Sequence, residues 1–206
     1  MKLTVNNSIQ WFLKANEKMQ ENKEYLTLLD KKIGDSDHGI NMARGFQEVA
    51  NKLPTQDYAS VSDVLKDVAM TLMSKVGGAA GPLYGTIFLK MSTAVKGTDP
   101  VDYQTFTNGL EEGLVGVKQR GKADVGEKTL VDVWAPVVDF FKQGVDFQAD
   151  QLVETAENAM DNTKDIQASK GRAAYFKEKS IGHIDPGSTS SFYIFEALAE
   201  VIREGE

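Results

Sequence analysis

LDKKIGDSDHGINMARGF, running from Leu29 to Phe46, places a charged turn between two stretches of helical pattern. Gly34, Asp35, Ser36 and Asp37 supply the turn signal. A helix is expected to start near Gly39, to carry Met42, Phe46, Val49 and Leu53 on one face, and to stop at Pro54. Working outward, Ile9, Trp11, Phe12, Leu13, Ala15 and Met19 recur at helical spacing from Ser8, and Glu24 to Leu29 can begin a second helix. Val61, Val64, Leu65, Val68, Ala69, Leu72 and Met73 repeat the pattern, with Ser60 or Ser62 as candidate caps. Further helices are expected from Pro82 to Val95, Asp102 to Arg120, Thr129 to Phe141, Ala149 to Ala168 and Pro186 to Arg203, with Gly171 to Asp185 as a long connection or short helix. No stretch combines beta-branched density, alternation and flanking turns as a strand would. The fold class is therefore all-α, with helices packed antiparallel through short loops.

The chain has 206 residues, 23 basic and 30 acidic, for a net charge of −7. No dense Lys/Arg stripe is present, which argues against nucleic acid as a partner. A hydrophobic share of 41 % suffices for one substantial core. With no internal repeat, low-complexity tract or Pro/Gly/Ser-rich linker, residues 1–206 read as a single domain. Cysteine is absent, which excludes disulfides, thiolate metal sites and a cysteine nucleophile. Met1 to Asn16 lacks the pattern of a secretory leader and no apolar run reaches the length of a membrane span, so a cytoplasmic location is the default expectation.

The chemistry concentrates in the opening segment. Asp30, Asp35 and Asp37 can converge if the first ends a helix and the others occupy the loop behind it. Three carboxylates that close repel one another unless a cation neutralises them. Oxygen donors without Cys favour Mg²⁺ or Ca²⁺ over zinc, and the absence of a twelve-residue ligand loop disfavours a Ca²⁺ cage. Gly39, Ile40 and Asn41 would expose the unpaired N–H groups of a helix start to an anion. The bland alternative is that Asp35 and Asp37 cap that helix and Asp30 is solvated. A second anion-type segment is GGAAGPLYG, Gly77 to Gly85, which lacks the Walker ending and can equally be close helix packing. A third, KGRAAYFKEKSIGHIDPGSTSSF from Lys170 to Phe192, offers Arg172, Asp185 as an N-cap or nucleotide contact, and a helix start at Pro186 and Gly187. His38 and His183 have no nucleophilic set around them and read as hydrogen-bonding groups. Trp11 and Trp134 read as core, the Glu111, Glu112 and Asp124, Glu127 pairs as surface charge, and Glu200, Arg203, Glu204 and Glu206 as a solvated, fraying end.

In this order and at these separations, LDKKIGDSDHGINMARGF, MTLMSKVGGAAGPLYG, RGKADVGEKTLVDVWAP and KGRAAYFKEKSIGHIDPGSTSS resemble the nucleotide-binding L subunits of dihydroxyacetone kinases. The resemblance implies an antiparallel eight-helix barrel with nucleotide on its rim. It implies that Asp30, Asp35 and Asp37 hold two Mg²⁺ ions gripping the phosphates of ADP or ATP, and that His38, Gly39, Ile40 and Asn41 line phosphate and sugar. Ala79 and Ala80 would face the phosphates, Gly121 and Leu130 the adenine, and Arg172, Asp185, Pro186 and Gly187 the remaining side. Two positions depart from the family: Ala80 stands where serine is common, and Ser36 where glycine is usual.

The activity implied is transfer of a phosphoryl group from Mg²⁺-bound nucleotide to dihydroxyacetone, chemistry that asks a protein for placement and charge stabilisation. No separate substrate-binding domain fits in the chain, so a partner subunit is expected to hold the acceptor. In bacterial relatives of this form the bound nucleotide is recharged by a phosphotransferase-system protein fed from phosphoenolpyruvate, whereas other members use free ATP as glycerone kinases. The competing readings are a non-catalytic regulatory subunit holding nucleotide or lipid, and an aspartyl-phosphate phosphatase, disfavoured because Leu28 to Ile33 does not read as a buried strand.

Overall fold

The Thr4 side chain accepts the backbone N–H of Asn7 at 3.1 Å and starts the first helix, α1 (Val5–Glu21), one turn ahead of its apolar stripe. The structure, a computed structural model, describes residues 1–144 and 147–205. Asn22 separates α1 from α2 (Lys23–Ile33), which runs on past the expected stretch and so carries Asp30 in its last turn. There follow α3 (His38–Lys52), α4 (Val61–Lys75) capped by Ser60, α5 (Ala80–Ala94), α6 (Tyr103–Gly121) capped by Asp102, α7 (Val131–Lys142), α8 (Ala149–Asn162) and α9 (Pro186–Glu204). Among the described residues the fold is all-α apart from two short strands, β1 (Lys2–Leu3) and β2 (Val101–Asp102), which pair antiparallel with Leu3 opposite Val101. Both of those apolar side chains are buried, and a two-residue strand is too short to leave a periodic signal.

Several boundaries differ from expectation. α5 begins at Ala80, so Pro82 sits inside its first turn, where a missing N–H costs nothing. α8 stops at Asn162 and gives way to a 3₁₀ turn over Thr163–Asp165, because the side chain of Lys128 captures the carbonyls of Thr163 and Ile166. Gly171 to Asp185 contains a 3₁₀ segment, Arg172–Ser180, broken at Lys177 where φ is 52°.

Packing runs from α1 to α3 and then through α4, α5, α6, α7, α8 and α9, which returns to α1, while α2 packs on α3, α9 and the Arg172–Ser180 segment. Inside this circuit Trp11, Phe12, Phe88, Phe106, Trp134 and Phe195 meet with ring centroids 4.6–6.1 Å apart. Phe88 contacts Trp11, Phe12 and Trp134 at once, so Phe88→Ala should cost about 3–5 kcal/mol. The indole N–H groups are not sacrificed: Trp11 donates to the Ile194 carbonyl at 2.7 Å and Trp134 to Ser191 Oγ at 3.0 Å.

The expected fraying end is a correction. α9 extends to Glu204, with Glu204 and Glu200 paired to Lys14, Glu200 and Glu196 to Lys18, and Arg203 to Asp150. Glu206 lies outside the described residues. Among those described, no helix is long and apolar enough to cross a membrane.

Candidate functional site

α2 ends at Ile33 and α3 starts at His38, so four residues reverse the chain and bring Asp30 beside the start of α3. Asp30, 6 % exposed, accepts the backbone N–H groups of Asp37 (2.8 Å) and His38 (3.1 Å) through Oδ2. The bland reading is thus inverted: Asp30 is the buried group that caps α3, and Asp35 and Asp37 stay exposed without capping it. Gly34 makes room for this, since a Cβ there would lie 1.9 Å from Asp30 Oδ1. Ser36 takes φ 69°, a left-handed conformation that glycine adopts freely and serine rarely.

Each of the three carboxylates offers an oxygen within 4.8 Å of the others. Partial desolvation and the neighbouring Asp35 push the Asp37 carboxyl above its usual range, as a cluster short of positive charge should. Arg172 supplies some of that charge, with Nη2 2.9 Å from Asp35 Oδ2. A hard divalent cation fits this set, because all donors are carboxylate oxygens and Asp30 still has Oδ1 uncommitted by its cap bonds.

The carboxylates open onto a cavity of about 390 Å³ whose other walls are Gly77 to Ala80 at the start of α5, Lys128 to Leu130 before α7, and Asp185 to Gly187 at the start of α9. The N-termini of α3, α5 and α9 therefore meet at one cavity, and each presents its positive dipole end. An anion placed there would face three helix starts. A second cavity of about 420 Å³ continues from the first, sharing Ala79, Leu83, Thr129, Leu130, Lys170 and Gly171, and adds Pro82, Val117, Arg120, Gly121, Ala123 and Val131. Its lining is mainly apolar, with Arg120 and Lys170 as its charged members, and suits a flat ring.

His38 is fixed from behind. Its Nε2 lies 2.9 Å from Ser190 Oγ, which lies 2.8 Å from the Tyr84 hydroxyl; that hydroxyl also meets Ser191 Oγ at 2.8 Å and the Gly187 carbonyl at 2.8 Å. Trp134 closes the chain of contacts on Ser191. Burial pushes the His38 imidazole down to about 4, so it is neutral near pH 7, and burial pushes the Tyr84 hydroxyl well up. Asp185 caps α9 by accepting the Ser188 N–H at 2.7 Å, and burial pushes its carboxyl up to about 7.

Of the sequence-predicted residues, Asp30, Asp35, Asp37, His38, Asn41, Ala79, Ala80, Leu130, Arg172, Asp185, Pro186 and Gly187 line the first cavity. Gly121 lines the second. Gly39 and Ile40 line neither: a Cβ on Gly39 would meet the Lys23 carbonyl at 2.1 Å, so it packs against the start of α2, and Ile40 points outward, 47 % exposed. The 3.6-residue period accounts for this, since it turns positions 39 and 40 away from a face shared by His38 and Asn41. Glu127 is another correction, for it binds rather than decorates: its side chain accepts from the Asp124 N–H and from Ser169 Oγ, tying the loop before α7 to the segment before Arg172. The structure adds Tyr84, Lys128 and Lys170 to the cavity wall and Ser190 behind His38, none of which the sequence marks as functional. Tyr84, Lys128 and Ser190 all fall within the segments that carry the resemblance, but nothing in the local sequence sets Lys128 apart from a surface lysine.

Comparison with known proteins agrees with this geometry. The DAK2 domain family profile matches residues 32–200. A Listeria innocua serovar 6a protein named PEP-dependent dihydroxyacetone kinase 1, ADP-binding subunit DhaL, is 47 % identical over 94 % of this chain and 94 % of its own length. A Lactococcus lactis subsp. lactis protein named PTS-dependent dihydroxyacetone kinase, ADP-binding subunit DhaL, is 48 % identical over 97 % of this chain and 99 % of its own. A crystal structure of the dihydroxyacetone kinase from C. freundii, in complex with AMP-PNP and Mg²⁺, superposes with a TM-score of 0.73 at 21 % identity, over 95 % of this chain and 33 % of that one. At that identity it speaks for the fold, and this chain spans about a third of it. With the profile running from the acidic turn through most of α9, and relatives matching nearly end to end, the chain belongs to the DAK2 domain family.

Proposed function

We infer that this protein is the ADP-binding subunit of a phosphoenolpyruvate-linked dihydroxyacetone kinase, a phosphotransferase that works as one subunit of a larger enzyme. The observation that carries the reading is the meeting of three carboxylates with three helix N-termini at one cavity, an arrangement that suits a polyphosphate and its divalent counter-ions. The near-full-length relatives named as ADP-binding subunits support it.

In this reading Asp30, Asp35 and Asp37 hold two Mg²⁺ ions. Bound there, the cations would offset the charge of the phosphates and of the carboxylates themselves. The chain's own groups do the rest. The backbone N–H groups of Ala79, Ala80 and Gly187 would border the phosphates, and Pro186, which has no N–H, marks the positive end of α9. His38, neutral and held by Ser190, offers a hydrogen bond without adding charge. Asn41 lines the cavity, with its Oδ1 accepting from Arg44 Nη2 at 2.9 Å and its side chain hydrogen-bonded to the Asp37 carboxylate. Leu130 and Gly121 border the apolar cavity assigned to adenine. Arg172 is free to leave Asp35 for a phosphate once a cation takes its place, since its guanidinium is mostly exposed.

The acceptor is held by a dihydroxyacetone-binding partner subunit, and the spent nucleotide is recharged in place by a phosphotransferase-system protein. The eight-helix packing circuit is the family's antiparallel barrel, and residues 1–206 form one nucleotide-binding domain. The lipid-holding alternative loses ground because Trp11, Phe12, Phe88 and Trp134 occupy the circuit's interior.

Calorimetry with ADP in the presence and absence of Mg²⁺ tests the binding step, with Asp35→Asn and Asp37→Asn expected to lose metal-dependent affinity at unchanged helix content. Reconstitution with the acceptor subunit and either phosphoenolpyruvate plus its relay proteins or ATP, assayed for dihydroxyacetone phosphate, tests the rest. No product with either donor would refute the kinase assignment.

A further inference from the structure

Lys128 has no part in the reading above, yet it is among the most constrained residues of the chain. Its side chain is 1 % exposed. The ammonium donates to the carbonyls of Thr163 at 2.7 Å, Ile166 at 3.1 Å and His183, which uses all three of its N–H groups. Its backbone stands at φ 62°, a conformation that lysine rarely adopts. Burial, saturated donors and an unfavourable backbone fall together on one residue.

What they secure lies at the cavity. The captured carbonyls belong to the turn after α8 and to the connection before α9, two stretches also joined by the Asp185 N–H donating to Thr163 Oγ1 at 3.0 Å. Asp185 then caps α9, and Pro186 and Gly187 follow in the cavity wall. On its own side Lys128 precedes Thr129, whose carbonyl accepts from Ser188 Oγ at 2.8 Å. Burial pushes the ammonium down, and Asp185, Asp165 and Asp132, the acidic groups facing it, push it back up. With no N–H to spare, it cannot itself bind a phosphate.

We propose that Lys128 is a positioning residue of the nucleotide site, an internal ammonium clamp that fixes the start of α9 against the α7 entry loop without touching the nucleotide. This rests on the nucleotide-binding reading and adds to it a residue that acts through Asp185, Pro186 and Gly187.

The absence of cysteine makes the test clean. Lys128→Cys introduces a unique thiol, and alkylation of the unfolded chain with 2-bromoethylamine, bromide leaving, installs an ammonium of nearly lysine length. Wild type, Lys128→Cys, its aminoethylated form and Lys128→Met are titrated with Mg²⁺ and ADP by calorimetry, and melted by circular dichroism. We expect the two neutral variants to lose at least about tenfold in ADP affinity while their helix content is intact, and the aminoethylated form to recover to within about threefold of wild type. A folded Lys128→Met with lowered melting temperature but wild-type affinity would overturn the proposal, and so would failure of the aminoethyl group to restore binding. Should Lys128→Met and Lys128→Cys not fold, Lys128→Gln, which keeps two donors, takes their place with the same expected loss. If wild type itself binds no ADP, the nucleotide reading falls and the clamp with it; if wild type binds and Lys128→Met binds equally well, the clamp alone falls.

Discussion

Gly34→Ala probes the acidic cluster without altering a charge. A methyl at that position would lie 1.9 Å from Asp30 Oδ1, 2.8 Å from its Cγ and 2.9 Å from its backbone carbonyl. Ordinary contact needs about 3.5 Å, so the carboxylate must retreat by roughly 1.5 Å. Its bonds to the Asp37 and His38 N–H groups, now 2.8 and 3.1 Å, would then exceed hydrogen-bonding range. Each bond to a charged acceptor is worth about 1.5–3 kcal/mol, and water at the cavity mouth recovers part of that, which leaves a net loss of about 2 kcal/mol. For a chain of this length that lowers the melting temperature by about 4–8 °C. The same retreat withdraws Asp30 Oδ1 from the other two carboxylates, so Mg²⁺-dependent ADP affinity should fall at least about tenfold. Thermal melts with and without Mg²⁺ and ADP, together with calorimetric titration, read both effects. A variant that melts within about 1 °C of wild type and binds equally well would show that Asp30 neither caps α3 nor belongs to the site.

Ser36→Gly removes a left-handed serine from the same turn; relief of about 1–2 kcal/mol, less the added freedom of the unfolded chain, should raise the melting temperature by a few °C, and a lowered midpoint would contradict it. Ala80→Ser restores a hydroxyl to the first residue of α5 in the cavity wall and should tighten ADP by roughly fivefold, about 1 kcal/mol, in calorimetry; unchanged affinity would place that position out of reach of the phosphates. Asp185 has its carboxyl raised to about 7 by burial, so the folded state holds a proton that the unfolded chain has released. Its stabilising effect is whole below the unfolded value near 4 and is lost as pH rises towards 7, by at most about 4 kcal/mol. Urea unfolding from pH 4.5 to 8 should therefore show Asp185→Asn gaining on wild type as pH rises, and parallel curves would rule that out.

How much of this was legible follows from how far apart the interacting residues are in the chain. The helical stripes are local: α4 buries Val61, Val64, Leu65, Val68 and Leu72 because those positions share a face in any helix. The acidic cluster is nearly as local, since Asp30 and Asp37 are seven residues apart and a single turn joins them. Even there the division of labour is not local. Which carboxylate caps α3 depends on how far α2 continues, and the composition of the turn does not say. Lys128 could not be found at all, because its three carbonyl partners lie 35, 38 and 55 residues away. The contact of Tyr84 with Ser190 spans 106 residues and is equally silent.

A helix start carries its own sequence marks, a capping carboxylate or serine, a proline, small residues, and each of the three around the cavity could be read singly. Their convergence has a different origin. The starts of α3, α5 and α9 meet because α9 returns to α1 and closes the packing circuit, and that closure depends on apolar surfaces spread over the whole chain. Fold and site are therefore coupled through the core: a cavity at Phe88 or Trp134 that lets α5 and α9 shift would move Tyr84, and with it Ser190 and His38. The carboxylate turn is set more locally, since Asp30 and Gly34 fix it by contacts eight residues apart or fewer. Damage to the core should accordingly weaken nucleotide binding before it weakens cation binding, whereas damage at Gly34 should strike the cation first.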